Sequence, residues 1–129
     1  MGRALNRLAA LALAAASVCI ATSGALAAGD AASGANLFKR CMVCHTADKG
    51  GPNRVGPNLF GVVGRKAGSL ASYSYSRAMA ASGIIWSEAN LAPYLTSPST
   101  VVPGTKMTFA GLSQPQQAQD VATYLGTLK

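Results

Sequence analysis

The sequence "CMVCHT", from Cys41 to Thr46, constrains this chain more than any other feature. Two cysteines with two residues between them and a histidine directly after form the spacing that attaches a c-type haem. Paired cysteines at this spacing also form half of many zinc sites and the centre of thioredoxin-like redox motifs. The rest of the sequence has to discriminate among these three chemistries.

The first 27 residues differ from the remainder and predict a secretory signal peptide. Arg3 and Arg7 form a basic start, the apolar stretch "LAALALAAASVCIA" follows, and "ALA" at residues 25–27 places small residues where a signal peptidase cuts. The apolar stretch is too short and wrongly flanked for a membrane anchor. We therefore expect cleavage after Ala27, export to the periplasm and a single domain over residues 28–129.

Cleavage would leave few metal-binding side chains. Removing 27 of the 129 residues leaves 102, and the loss of Arg3 and Arg7 lowers the formal net charge from +7 to +5. Cys41 and Cys44 are then the only cysteines and His45 the only histidine. A structural zinc site requires four nitrogen or sulfur ligands, so zinc is excluded by number.

The redox and structural alternatives also fit poorly. A thioredoxin-like pair opens a helix after a strand, and no strand pattern is visible. A disulfide between Cys41 and Cys44 would close a very small loop, add little stability and leave His45 without a role. Haem uses all three residues, with two thioether bonds and an iron ligand. Because the apolar residues are rich in alanine, the core is modest, and a buried prosthetic group would complete it.

The predicted fold class is all-α, with three to five short helices and long loops wrapped around one covalently bound haem. A first helix is expected within "ASGANLFKRC", with Ser33 as its N-cap. Residues 46–75 show no helical or strand period and are expected to be loop. A second short helix is expected over residues 76–82, with Gly83 ending it.

Two further helices are expected in the second half of the chain. One begins after a Ser87 cap and runs through "EANLAPYLT", where Pro93 should kink it or displace its start. The stretch "SPSTVVPGTKMTFAG" is expected to be loop. The last helix is expected to have Ser113 as its cap, Pro115 in its first turn and a capping box closed by Gln116.

A methionine is the natural second axial ligand, because no second histidine exists and a thioether is soft enough for iron. Met42 lies between the two cysteines, too close to reach the opposite face of a haem. Met79 falls in a predicted short helix, where methionine more often packs in a core. Met107 lies far along the chain in the loop "PGTKMTF". Spacing therefore favours Met107 over Met79.

The chain resembles the class I c-type cytochromes, the mitochondrial-like group and its periplasmic bacterial relatives. The resemblance covers residues 29–129 and is carried by "CMVCHT", "GPNLFGVVGRKAGS", "GIIW", "YLTSP", "VPGTKMTFAG" and "ATYL" in this order. It implies the class I cytochrome c fold, one haem c held by Cys41 and Cys44, and His45 and Met107 as axial iron ligands.

The resemblance also implies a set of supporting contacts. The Pro57 carbonyl would accept a hydrogen bond from Nδ1 of His45 and so orient the ring. Tyr94 and Thr105 would place hydroxyls beside the sulfur and around an inner propionate. Arg65, Tyr75 and Trp86 would hydrogen-bond to the haem propionates or neutralise them. A close crossing of the first and last helices is implied at Gly34, Phe38, Val121 and Tyr124. Met79 departs from the family, whose mitochondrial members usually have a polar asparagine there, in an inner hydrogen-bond network.

With both axial positions filled, the resemblance implies one-electron Fe(III)/Fe(II) transfer and no catalytic residue. The expected function is a periplasmic electron shuttle that accepts electrons from a quinol-oxidising cytochrome complex or a periplasmic dehydrogenase. It would deliver them to a terminal oxidase or a photosynthetic reaction centre. The alternatives are a haem enzyme or gas-binding sensor with a labile sixth ligand, and a redox or structural protein without haem.

The basic balance predicts partners that are acidic around their docking sites. The residues expected to surround the haem edge are Lys39, Arg40, Arg54 and Lys106. Strongly docking relatives carry more lysines beside the "PGTKM" loop, so weaker and less salt-sensitive docking is expected here. The remaining lysines, Lys49, Lys66 and Lys129, are expected to serve solubility. Nucleic-acid binding is not expected, because the sequence has no basic run with interleaved aromatic residues. We expect a monomer that does not insert stably into a membrane.

Overall fold

Five short α-helices and one 3₁₀ turn form the regular structure of residues 26–129, the part of the chain that the computed structural model describes. The all-α class and the predicted number of helices are confirmed. Within the described residues the only extended pairing is an isolated antiparallel bridge between Lys66 and Ile85. The elements are α1 (Ala31–Phe38), the 3₁₀ turn (Cys41–Val43), α2 (Arg77–Ala81), α3 (Glu88–Thr96), α4 (Pro98–Val101) and α5 (Pro115–Gly126).

Residues 1–25 of the predicted signal peptide lie outside the described residues, so that prediction stays open. Over residues 26–129, none of the helices combines the length and the apolar character that crossing a membrane requires.

The predicted start of α1 is wrong by three residues. The N-cap is Asp30, whose carboxylate accepts hydrogen bonds from the backbone N–H groups of Ala32 and Ser33. Ser33 lies inside the helix and donates its hydroxyl to the same carboxylate at 3.4 Å. A carboxylate at a helix N-terminus also interacts favourably with the helix dipole, which a serine hydroxyl cannot do.

Helices α2 and α3 lie where the sequence predicts, although α2 is one residue shorter at each end than expected. The Ser76 hydroxyl caps α2 by accepting from the Met79 N–H at 3.0 Å, and Gly83 follows the helix with a φ of 71°. Ser87 and Asn90 form a capping box at the start of α3. Pro93 is exposed and does not displace that start, although it has no N–H to donate to the preceding turn.

Two predictions for the second half of the chain are wrong: a loop was expected where α4 lies, and Ser113 was expected to cap α5. The stretch expected to be loop contains the four-residue helix α4, with Pro98 in its first turn. Helix α5 begins at Pro115, but its N-cap is Gln114 and no side chain caps it. The residue before a proline prefers extended backbone, and Gln114 has φ −105° and ψ 117°. Gln116 closes no capping box and instead donates to the Asp120 carboxylate at 3.0 Å.

Helices α1 and α5 cross in close contact, as the family resemblance implies. A Cβ on Gly34 would lie 2.0 Å from the carbonyl oxygen of Asp120, so only glycine permits this approach. The rings of Phe38 and Tyr124 lie 5.2 Å apart between the two helices, and Val121 is buried beside them. Helix α3 packs against the same α5, and the long loops close around the space that remains.

Candidate haem site

A cavity of about 580 Å³ lies between the helices and the loops, a volume typical of small-molecule and cofactor sites. Its walls are mainly apolar. All ten residues that the sequence predicts as haem or iron contacts line it. They are Cys41, Cys44, His45, Pro57, Arg65, Tyr75, Trp86, Tyr94, Thr105 and Met107.

The 3₁₀ turn after α1 presents both cysteines to this cavity. The N–H groups of Cys44 and His45 both donate to the Cys41 carbonyl, at 3.0 and 2.9 Å, and this closes one tight turn. Cys41 and Cys44 are not bonded to each other, and each is half-buried in the cavity wall. Burial raises the pKa of the Cys41 thiol, and the neighbouring Arg40 partly opposes that shift.

The His45 ring is held in one orientation by its backbone surroundings. Its Nδ1 lies 2.7 Å from the Pro57 carbonyl oxygen, so the predicted hydrogen bond is present. Because a carbonyl only accepts, Nδ1 carries the proton, and the lone pair of Nε2 stays free for a metal. Burial lowers the pKa of His45 and thus favours the neutral imidazole, although the Pro57 hydrogen bond opposes this shift.

The backbone of Gly56 packs directly against the His45 ring. A Cβ at Gly56 would lie 2.3 Å from Cε1 of His45, closer than any real contact. The Gly56 N–H also donates to the Cys44 carbonyl at 2.8 Å, which ties the loop to the cysteine turn. The imidazole therefore lies directly against backbone, in a slot that only glycine leaves open.

Met107 reaches the cavity from the loop between α4 and α5. Its backbone N–H donates to the Thr105 hydroxyl at 3.3 Å. The Tyr94 hydroxyl donates to the Met107 sulfur at 3.8 Å, so a hydroxyl does lie beside the sulfur. Burial raises the pKa of Tyr94, partly offset by a hydrogen bond with the Thr105 side chain. The Thr105 side chain thus holds the backbone of Met107, and the Tyr94 side chain holds its sulfur.

Some of the predicted propionate partners already use their hydrogen-bond donors within the protein, and others do not. Arg65 donates through Nη1 to the Asn58 carbonyl at 2.9 Å and through Nη2 to the Phe60 carbonyl. Its guanidinium therefore braces a loop as well as lining the cavity. Trp86 is buried with its ring 4.9 Å from that of Tyr94. The Tyr75 hydroxyl and the Trp86 indole N–H make no hydrogen bond to the described residues, and both remain available to an acidic group.

Two lining residues were missed in the sequence. Tyr73 packs edge-on against Tyr75, with ring centroids 4.8 Å apart, and donates its hydroxyl to the Val55 carbonyl at 2.6 Å. Lys66, assigned above to solubility, also lines the cavity. The alternation of aromatic residues in "SYSYS" was the available signal for Tyr73, since residues two apart in an extended segment share a face. No comparable pattern marks Lys66.

The cations expected around the haem edge are all exposed, but several have partners within the protein. Arg54 donates to the Met42 carbonyl at 3.1 Å, and Lys39 donates to the Asn36 side chain at 3.2 Å. Lys106 donates to the Ser74 carbonyl, and its ammonium lies 4.5 Å from the centroid of the Tyr73 ring. Arg40 lines the cavity mouth.

The residues present fit a covalently held haem. The cavity has apolar walls, two unbonded thiols on one turn, an oriented imidazole and a thioether. Its charged lining consists of the cations Arg40, Arg65, Lys66 and Lys106, and no carboxylate among the described residues lines it. That charge distribution suits a group with acidic side chains. Met79 is a second thioether in the wall, partly buried against the core.

Comparisons with known proteins agree with this geometry. The family model for cytochrome c matches residues 31–129. A cytochrome c of Theileria annulata is 53% identical over 98 residues, which cover 75% of this chain and 84% of that protein. A cytochrome c homolog of Rickettsia felis is 46% identical over 98 residues, covering 76% of this chain and 56% of that longer protein.

A solved structure extends the likeness to the fold. Cytochrome cH from Methylobacterium extorquens is 46% identical to this chain and superposes with a TM-score of 0.71, over 77% of this chain and 99% of that one. The chain therefore belongs to the cytochrome c family of electron-transfer proteins, which bind one covalent haem c through the pattern present at Cys41, Cys44 and His45.

Proposed function

We propose that this cytochrome c is a periplasmic single-haem electron shuttle, with His45 and Met107 as the two axial ligands of the iron. The observation that carries the proposal is that both side chains line one cavity from separate segments, together with Cys41 and Cys44. When bound, the haem supplies reversible one-electron Fe(III)/Fe(II) chemistry. With both ligands in place, no coordination position is left for a substrate, and we assign no enzymatic activity.

The chain's own residues would hold and tune this group. Cys41 and Cys44 would carry the two thioether bonds, and the Pro57 carbonyl keeps the His45 ring in its binding tautomer. Tyr94 holds the Met107 sulfur from one side, and its hydroxyl lies in a largely buried position. A neutral thioether and apolar walls both favour the ferrous form, so a positive reduction potential is expected.

The acidic groups of the haem would be matched by donors on the cavity wall. The Tyr75 hydroxyl and the Trp86 indole N–H face no competing acceptor among the described residues, and Arg65 supplies a fixed positive charge. Thr105 contributes a hydroxyl next to Met107. These contacts would neutralise buried charge, which otherwise is costly in an apolar site.

A reversible redox titration of the purified holoprotein tests this function. With soluble mediators present, we expect a single one-electron wave. The ferric spectrum should be the same in the oxidising and reducing titrations, and so should the ferrous spectrum. Hysteresis would show that a ligand changes on reduction. Peroxide-dependent turnover of a small reductant would favour the haem-enzyme alternative.

The location and the partners belong to the same proposal. The electron donor would be a quinol-oxidising cytochrome complex or a periplasmic dehydrogenase, and the acceptor a terminal oxidase or a photosynthetic reaction centre. The mass of the secreted holoprotein tests the location, because cleavage after Ala27 leaves a chain that begins at Ala28. A mass that includes residues 1–27 would contradict cleavage and favour retention at the membrane.

A further inference from the structure

The five residues before α1, residues 26–30, pack along α5, and we call them the N-terminal segment. The Ala27 carbonyl accepts a hydrogen bond from the Gln116 side-chain amide at 3.2 Å. A Cβ on Gly29 would lie 2.7 Å from a backbone carbonyl oxygen of α5, so the backbone of the segment lies directly on the helix. The segment is therefore held on α5 at positions on both sides of the predicted cleavage site after Ala27.

The Asp120 carboxylate lies at the centre of this contact and is only 8% exposed. It accepts hydrogen bonds from the backbone N–H of Asp30 at 2.9 Å and from Nε2 of Gln116 at 3.0 Å. Both donors are uncharged and both bonds reach Oδ1, which leaves the lone pairs of Oδ2 for another donor. A buried carboxylate gains most from a donor that carries a positive charge.

The nitrogen of Ala28 lies close to this carboxylate. Nε2 of Gln116 joins the Ala27 carbonyl to Asp120, and the Ala28 nitrogen is bonded to the same carbonyl carbon. Standard bond lengths therefore place this nitrogen within about 9 Å of Oδ1 of Asp120. That separation is close to the Debye length of about 8 Å at physiological ionic strength. Ala28 is also exposed, so a free amino group there could turn towards the carboxylate.

We propose that the α-ammonium group of Ala28 forms an ion pair with Asp120 in the processed protein. This proposal rests on the cleavage after Ala27 proposed above. Hydrolysis of that peptide bond by one water leaves a carboxylate on Ala27, which departs, and an ammonium group on Ala28. The neutral amide nitrogen thus becomes a cation as Gln116 loses the Ala27 carbonyl. The ion pair would replace the lost contact and keep the N-terminal segment on α5.

The other charges that face the segment have the same sign as Asp120. The Asp30 carboxylate caps α1, and the Glu88 carboxylate of α3 accepts from the Thr123 hydroxyl of α5 at 3.3 Å. These carboxylates favour the ammonium form of Ala28 and raise its pKa above that of the unfolded chain. The stabilisation is then fully present below the unfolded pKa, roughly pH 8, and is lost as the pH rises through the folded pKa.

Carbon-13 NMR of the processed ferrous holoprotein measures this effect, because the Ala28 methyl shift follows titration of the amino group. The variants are Asp120→Asn, Glu88→Gln and the matched control Asp48→Asn, which removes a carboxylate from an exposed loop. Asparagine keeps a side-chain oxygen for the N–H of the N-terminal segment. We expect the Asp120→Asn variant to lower the pKa of the Ala28 amino group by about 0.5 relative to the wild type. The control should change it by less than about 0.2.

Guanidinium denaturation gives a second measure with the opposite dependence on fold. Between pH 7 and pH 9.5, the unfolding equilibrium constant of the wild type should rise about threefold more than that of Asp120→Asn, the factor that corresponds to the pKa shift. A chain that keeps Ala27 as its first residue should behave like Asp120→Asn, because its charge is displaced by one residue and the Gln116 contact is restored.

Three results would overturn the ion pair. The first is a wild-type pKa equal to that of a short unfolded peptide with the same N-terminus. The second is an unchanged pKa in Asp120→Asn together with a fall in Glu88→Gln, which would place the ammonium on α3. The third is a secreted protein that begins at a residue other than Ala28, which also rejects the predicted cleavage. The mediated redox titration is separate from all three: failure to find a reversible couple rejects electron transfer and leaves the ion pair standing.

Discussion

Gly56 determines how closely the backbone can approach the His45 ring. In Gly56→Ala, the new Cβ would lie 2.3 Å from the imidazole, so the ring or the loop has to move. We expect the free energy of unfolding of the holoprotein to fall by about 1–3 kcal/mol, the usual cost of overpacking. We also expect the visible spectrum of the ferric form to change, because the displaced ring is the iron ligand that we propose. Guanidinium denaturation and absorption spectra measure the two effects.

Gly61→Ala is the matched control for this variant. Gly61 has a φ of 70°, and a Cβ added there would have no neighbouring atom within 4 Å. Alanine should therefore lower the free energy of unfolding only through backbone strain, by about 1–2 kcal/mol. Its spectrum should equal that of the wild type. An unchanged ferric spectrum in Gly56→Ala would show that the ring is not held as described.

Single residues at the site differed in how far sequence could predict them. The His45–Pro57 contact was implied by the family resemblance, because both residues lie close in sequence to the cysteines within recognisable motifs. Tyr73 was not predicted, since its role depends on Val55, which lies 18 positions away in the chain. The engagement of Lys106 with Ser74 and the Tyr73 ring is likewise a long-range contact that no local pattern reports.

At the scale of helices, the crossing of α1 and α5 depends on Gly34. In Gly34→Ala, the Cβ would lie 2.0 Å from the Asp120 carbonyl, and backbone atoms cannot turn aside as a side chain can. Alanine favours helix by about 1 kcal/mol, but the clash exceeds this gain. We expect a net loss of about 1–3 kcal/mol in the free energy of unfolding, measured by chemical denaturation.

Gly126→Ala separates the clash from the general effect of replacing a helical glycine. Its Cβ would meet only the carboxylate end of Glu88, a flexible side chain that can move away. We expect a change within about 1 kcal/mol of the wild type. Equal losses in the two variants would contradict the close crossing.

Helix positions were predicted well and helix caps poorly. Ser33 and Ser113 both looked like N-caps, yet Asp30 and Gln114 occupy those positions. In the first case a carboxylate three residues earlier competes better for the free N–H groups. In the second, the extended backbone required before Pro115 sets the start of the helix whatever side chain precedes it. Local preference alone does not resolve such competition.

For the whole molecule, the cavity explains why the core of buried side chains is small. Much of the apolar content is alanine, and the largest fully buried side chains are Phe38, Val121 and Pro98. Many of the other large apolar residues line the cavity, where they would pack against the haem as well as against each other. This arrangement was predicted from composition, because a chain of this length with few large aliphatic residues needs a further apolar group.

Carbon monoxide tests most directly whether Met107 occupies the sixth position of the iron, as we propose. The visible spectrum of the reduced holoprotein is recorded with and without the gas, for the wild type and for Met107→Ala. We expect low-spin c-type bands that carbon monoxide leaves unchanged in the wild type, and ready binding in Met107→Ala. Ready binding of carbon monoxide by the wild type would contradict Met107 ligation and favour an enzyme or a gas sensor.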